Sequence, residues 1–172
     1  MKLLMAVILT LGLMAMVAGQ LPKNEDRMCV HQMLSQGDAL FCKGNLNVIY
    51  PEIGDVGCMY VPECNDFRQK ISSWSQPSIK YSQAHEGDSL KTGNISGSEL
   101  TGYQPPGPPP QTGFHRYQFI LFEQPERGKP ITLSTKEKAK RGSWSISDFI
   151  KHFHLGSPVA TNQFLTQNYH DF

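Results

Sequence analysis

No two cysteines in this chain stand in C-x-x-C spacing, and no second pair has zinc-finger spacing, which argues against a metal centre. Excess charge is lacking too. Sixteen Lys and Arg stand against fifteen Asp and Glu, for a net charge of +1. No field of one sign therefore draws in nucleic acid or an anionic membrane. The familiar catalytic spellings are missing. His85-Glu86-Gly87-Asp88-Ser89 opens like the zinc-protease H-E-x-x-H but has Ser89 where the second histidine must stand. Gly93-Asn94-Ile95-Ser96-Gly97 carries its serine one place late for a nucleophile elbow. There is no Walker loop, no Rossmann glycine fingerprint, no internal repeat and no heptad pattern. His152 and His154 lie two apart, on different faces of a helix, and read as exposed helix-end residues. The chain therefore reads as a non-enzyme without metal or cofactor.

Apolar runs are almost as scarce. Leu3 to Val17 is the single long one, and it falls short of the roughly 20 residues that span a bilayer. Preceded by Lys2 and followed by Val17-Ala18-Gly19, it has the three parts of a secretory leader, so residues 1–19 read as a signal peptide. The remainder suffices for one domain with one core. Its cysteines, Cys29, Cys42, Cys58 and Cys64, are even in number and lie behind a leader. Two disulfides are expected, with three pairings open. Asn94-Ile95-Ser96 is a glycosylation sequon in a Gly- and Ser-rich stretch, where the acceptor should be exposed. The compartment that follows is the secretory-pathway lumen, endolysosomal or extracellular.

Residues 20–45 read as a polar, cysteine-bearing extension with a short helical stretch around Val30–Leu34. Leu46 to Tyr50 alternates apolar residues and stops at Pro51, as a strand does. Trp74 to Tyr81, interrupted by Pro77, fits an edge strand. From Gln83 to Pro110 apolar residues thin out, and a loop of that length is unusual inside one domain. Phe114 to Glu123 is the strongest strand, apolar enough to be covered on both faces, with Ile131 to Leu133 a short partner. Lys136 to Arg141 reads as a solvated loop. Ser145 starts a helix carrying Phe149, Ile150 and Phe153, which ends near Leu155-Gly156. Val159 to Tyr169 returns as a last strand or extended tail.

The richest stretch is Pro105 to Phe119, P-P-G-P-P-P-Q-T-G-F-H-R-Y-Q-F. Prolines stiffen the loop, and the following strand begins with a histidine. A period of two places His115, Tyr117, Phe119 and Leu121 on one face. A polar group at a strand end, beside a rigid loop, is how the rim of a small pocket is built. His115 is the sharpest candidate for donating a hydrogen bond to a phosphate or carboxylate, with backbone near Gly107 helping and Tyr117 lining the cavity. An imidazolium holds an anion better than an imidazole, so binding should strengthen as pH falls. The plainer reading of His115 is a core histidine satisfied by a backbone carbonyl, and of Tyr117 a core aromatic.

G-F-H-R-Y-Q-F after a P-P-x-x-T-G-like loop resembles a signature of the phosphatidylethanolamine-binding protein family, and in detail its secreted branch. The resemblance extends over Leu46–Tyr50, Ser73–Tyr81 and Arg141 to Tyr169. It implies a mainly β fold, a sandwich over residues 46–172 with one or two C-terminal helices. It also implies a small anion pocket that takes phosphate-bearing small molecules or phospholipid headgroups, with His115, Gly107, Pro108, Pro109 and Tyr117 as the ligand-binding set. Family members also inhibit kinases and a serine carboxypeptidase, which implies an alternative role through a protein partner in signalling. The family's D-P-D-x-P and H-W segment does not occur here. The chain runs A-H-E-G-D-S-L-K through that point, which implies an internal deletion near 88–89, as by exon skipping. Two central strands and part of the pocket wall would go with it.

Overall fold

A computed structural model describes residues 29–125, 130–139, 142 and 144–171, so the expected leader, residues 1–19, lies outside the described residues. Strands predominate. In chain order they are β1 (Gln32–Met33), β2 (Leu46–Tyr50), β3 (Gly54–Asp55), β4 (Met59–Tyr60), β5 (Ser78–Tyr81), β6 (His115–Leu121) and β7 (Ala160–Thr166). The α-helices are single turns or little more: α1 (Gln36–Ala39), α2 (Phe67–Lys70), α3 (Ser89–Thr92), α4 (Thr135–Ala139) and α5 (Ile146–His152).

Two sheets share one core. The larger has the order β1-β4-β7-β6 and is mixed, because β4 runs parallel to β7 while the other pairs are antiparallel. The smaller is antiparallel, in the order β3-β2-β5. Alternate residues of β2, Leu46, Val48 and Tyr50, are buried, as their spacing predicts. Val48 and Tyr50 share a cluster with Phe164 of β7, which has no exposed surface. Its ring stacks on Tyr117 at 5.2 Å, meets Tyr50 edge-on at 6.0 Å and lies 6.1 Å from Phe119. Trp74 closes the other side of Tyr50 at 5.1 Å. Such offset and edge-on pairs add to what area burial alone supplies.

The sheets are also clamped by a polar side chain. Asn162 is 6% exposed, and its Oδ1 accepts from Cys58 N at 3.0 Å and Gln163 N at 2.7 Å. Its Nδ2 donates to the carbonyl of Leu46, in the other sheet. Gly57 has to be a glycine here, since a Cβ would collide with the Asn162 amide.

Sequence patterning anticipates β2, β5 beginning just after Pro77, β7, and the helix capped by Ser145, whose Oγ accepts from Asp148 N. Elsewhere the structure corrects it. The stretch expected to be helical, Val30–Leu34, holds β1, because pairing with β4 outweighs local preference; the helix comes after it, capped by Ser35. Ile131–Leu133 is in no strand, although Leu133 is buried. The expected loop at Lys136 begins inside α4, where Ser134 and Glu137 form a capping box: Glu137 Oε2 accepts from Ser134 N at 2.8 Å, and Ser134 Oγ from Glu137 N at 3.3 Å. The helix carrying Phe149 stops at His152, and the chain reverses at His154 (φ +52°) rather than at Gly156.

The N-terminal extension joins the larger sheet through β1 and is fastened by disulfides Cys29–Cys64 and Cys42–Cys58, whose Cα atoms are 5.7 and 6.1 Å apart. On the back of the sheet, Asp38 of α1 accepts from Arg116 Nε at 2.7 Å. Its carbonyl takes Gln163 Nε2, also at 2.7 Å.

Candidate functional site

β6 alternates as its sequence demands. His115, Tyr117 and Phe119 turn toward the core, while Arg116 and Gln118 face solvent. Arg116 and Gln118 are exposed, so the cover expected on both faces of this strand is absent from their side. Pairing sets His115 opposite Thr166 and Tyr117 opposite Phe164. Directly opposite residues of an antiparallel pair share a face. The histidine therefore stands at one end of an aromatic row.

The proline loop folds over that end. Pro106 and Pro108 are buried, whereas Gly107 and Pro109 are exposed. The loop turns back at Gln111 and Gly113, with φ of +59° and +69°. Thr112 Oγ1 donates to the carbonyl of Pro109 at 2.8 Å and lies 2.5 Å from His115 Nε2. A hydroxyl has one proton, and this one is committed to Pro109. With that proton on Pro109, Thr112 Oγ1 is open to accept from an Nε2–H of His115. Asn168 Nδ2 donates to the carbonyl of Pro108 at 3.1 Å, and Gln111 N donates to Asp171 Oδ1. The chain beyond β7 is thus strapped to the loop.

Three tyrosine hydroxyls converge beneath the loop. Burial pushes the Tyr117 phenol up from its ordinary value, opposed by a hydrogen bond from the Gly107 backbone. Tyr50 and Tyr103 share a hydrogen bond of 3.1 Å, and burial raises both. Trp74 Nε1, Thr166 Oγ1 and Asp171 Oδ2 are buried polar atoms with no hydrogen-bond partner among the described residues. Thr166 lies on the His115 side of the sheet.

All five ligand-binding candidates fall in one neighbourhood: His115, Tyr117 and Gly107 by the contacts above, Pro108 and Pro109 through their carbonyls. Sequence reasoning did not single out Thr112, Asn168, Asp171 or Thr166. Of these only Thr112 left a trace, in the T-G of the loop; Asn168 and Asp171 are tied in by contacts across 60 residues, and Thr166 by pairing opposite His115. None of the cavities described is lined by His115, Gly107 or Tyr117. A cavity of about 910 Å³ opens instead at the far end of β6, between Leu121–Gln124 and the turn at Ala84–Asp88. Asn94 is exposed, one residue past the Gly93 cap of α3. Among the described residues no group of His, Cys, Asp and Glu is placed to hold a metal, and no helix is long and apolar enough to cross a membrane.

A family model described as phosphatidylethanolamine-binding protein matches residues 59–166, the span from β4 to the end of β7, with the proline loop and His115 inside it.

Proposed function

This chain belongs to the phosphatidylethanolamine-binding protein family, and from that premise we propose that it is a secreted, non-enzymatic binder of a small phosphate-bearing ligand or phospholipid headgroup. The site is His115 under the proline loop. The observation that carries this reading is the run of contacts from His115 Nε2 to Thr112 Oγ1 to the Pro109 carbonyl. It sets the imidazole, at a strand end, against a hydroxyl that an anion can displace. Tyr117, two residues on along the same face, hydrogen-bonds the Gly107 backbone.

The pocket is weakened in this reading. The sequence lacks the family's D-P-D-x-P and H-W segment, which we take as an internal loss near residues 88–89, in the manner of a spliced variant. Two central strands and one wall of the pocket go with it. An anion there sits partly in water and lacks some of the donors that a desolvated phosphate requires. Residues 1–19 act as the leader, and Asn94 carries a glycan.

The test is calorimetric titration with phosphoethanolamine at pH 7.4 and 5.5, with His115→Ala as control. Weak binding that strengthens at the lower pH and disappears in the variant supports the reading. Tight binding that the variant leaves untouched overturns it.

A second reading rests on Val30, Met33 and Leu40, which are 74%, 66% and 70% exposed on the disulfide-fastened extension. Such a surface suits a protein partner, a kinase pathway component or a hydrolase. Partner capture that survives His115→Ala and is lost in Met33→Asp would favour it.

A further inference from the structure

We propose that the outer edge of β6 is a self-association surface on which a second copy of this chain adds its own β6, antiparallel, about a two-fold axis at Gln118. The proposal does not depend on ligand binding at His115.

β6 is seven residues long and has a strand neighbour on one side alone, β7. Among the described residues no backbone group pairs with its other edge. In an antiparallel ladder alternate residues turn their N–H and C=O groups away from the partner, so this edge offers a row of unmet groups. Proteins blunt such edges with proline, charged side chains, a bulge or a very short strand. Of these devices His115-Arg116-Tyr117-Gln118-Phe119-Ile120-Leu121 has only a charge, on Arg116, whose side chain is 56% exposed. Its one permanent charge, Arg116, is taken up by Asp38 at 2.7 Å.

The occupant is a second copy because the strand is complementary to itself. With Gln118 opposite the partner's Gln118, Tyr117 meets the partner's Phe119 on the core side. Arg116 meets the partner's Ile120 on the other side, and His115 meets the partner's Leu121. No two like charges face each other, and an aromatic pair is made twice. Such pairs stabilise a ladder, whereas like charges directly opposite weaken it. Tyr117 and Phe119 are half-buried in one copy, because the sheet ends beside them. A neighbouring strand would complete their cover. One register step further out, Phe114, 41% exposed, falls opposite the partner's Phe122. That residue lines the cavity of about 910 Å³ together with Leu121, Leu90 and Val159. The cavity thus lies where the partner's chain arrives, and the two four-stranded sheets become one of eight.

The experiment uses Gln118→Lys and Gln118→Glu, both at an exposed residue whose amide donates to Gln163 Oε1 at 3.0 Å, and both self-repelling in this register. Sedimentation of the wild-type chain from micromolar to millimolar concentration should show a monomer–dimer equilibrium. Each variant alone should associate about tenfold more weakly or worse, and an equimolar mixture of the two should recover dimer. Hydrogen exchange of the unaltered chain supplies a measurement that needs no variant: β6 amides on the outer edge should gain protection as concentration rises, while β5 amides should not. A chain that stays monomeric throughout, or association indifferent to Gln118, overturns the proposal. So does an edge that accepts an extended segment of another protein but not a second copy.

Discussion

Asn162 joins two sheets with one amide, so its replacement should cost more than its size suggests. Cutting it to alanine removes the donor to the Leu46 carbonyl and the acceptor for Cys58 N and Gln163 N. Cys58 N keeps Gln163 O at 2.8 Å; the Leu46 carbonyl keeps nothing in place of the amide. One buried carbonyl left without a partner costs about 1–3 kcal/mol, and each lost bond about 0.5–1.5, so Asn162→Ala should cost about 3 kcal/mol. That is a large part of the roughly 5–15 kcal/mol that a domain possesses. Asn162→Asp should be worse at neutral pH, because it turns a carboxylate oxygen on the Leu46 carbonyl where an N–H had been. Such an aspartate has a raised pKa in the fold, so its ionised form opposes folding. The penalty should shrink as pH falls and the carboxyl protonates. Urea unfolding measures this, with the alanine variant's midpoint lowered by about 1–3 M. A loss below about 1 kcal/mol, or an aspartate variant no worse than alanine at pH 7, would show that the clamp is not what joins the sheets.

The disulfides and the buried tyrosines give two further expectations. The closed loops span 35 residues for Cys29–Cys64 and 16 for Cys42–Cys58, so on the chain-entropy account their removal should cost about 4 and about 3 kcal/mol respectively. Paired serine variants compared by thermal unfolding check the order, and thiol labelling of denatured, unreduced protein should find essentially no free cysteine. Tyr50, Tyr103 and Tyr117 should ionise later in the fold than in the unfolded chain, because burial raises all three. The stability tied to them is fully present below the unfolded value of about 10 and is lost as pH climbs from there through the folded values. Absorbance titration that finds these three ionising at the unfolded value would refute the burial argument.

Local features were legible in the sequence and long-range ones were not. The alternation of β2 and β6, the interruption at Pro77 and the cap at Ser145 are all written within a few residues, and each appears in the structure. β7 was legible as a strand but not as the one that binds the larger sheet together. Its sequence, A-T-N-Q-F-L-T, is too polar to look like a buried centre. Asn162 and Gln163 are affordable there because Leu46 and Asp38, more than 100 residues away, satisfy them. No periodicity reports such a partner. The candidate site divides the same way. His115, Gly107 and Tyr117 are close in sequence and were found together, whereas the strap from Asn168 and Asp171 comes from the far end of the chain.

The place of β7 between β4 and β6 has a consequence in time. β6 has no other strand to pair with in the described fold, and β7 lies almost 40 residues further on. At about 5–20 residues per second, β6 waits about 2–8 s on the nascent chain before its partner exists. Throughout that interval both of its edges and its row of Tyr117, Phe119 and Leu121 stand open. The burden on this chain during synthesis therefore falls on whatever shields residues 115–121 until the last strand is made.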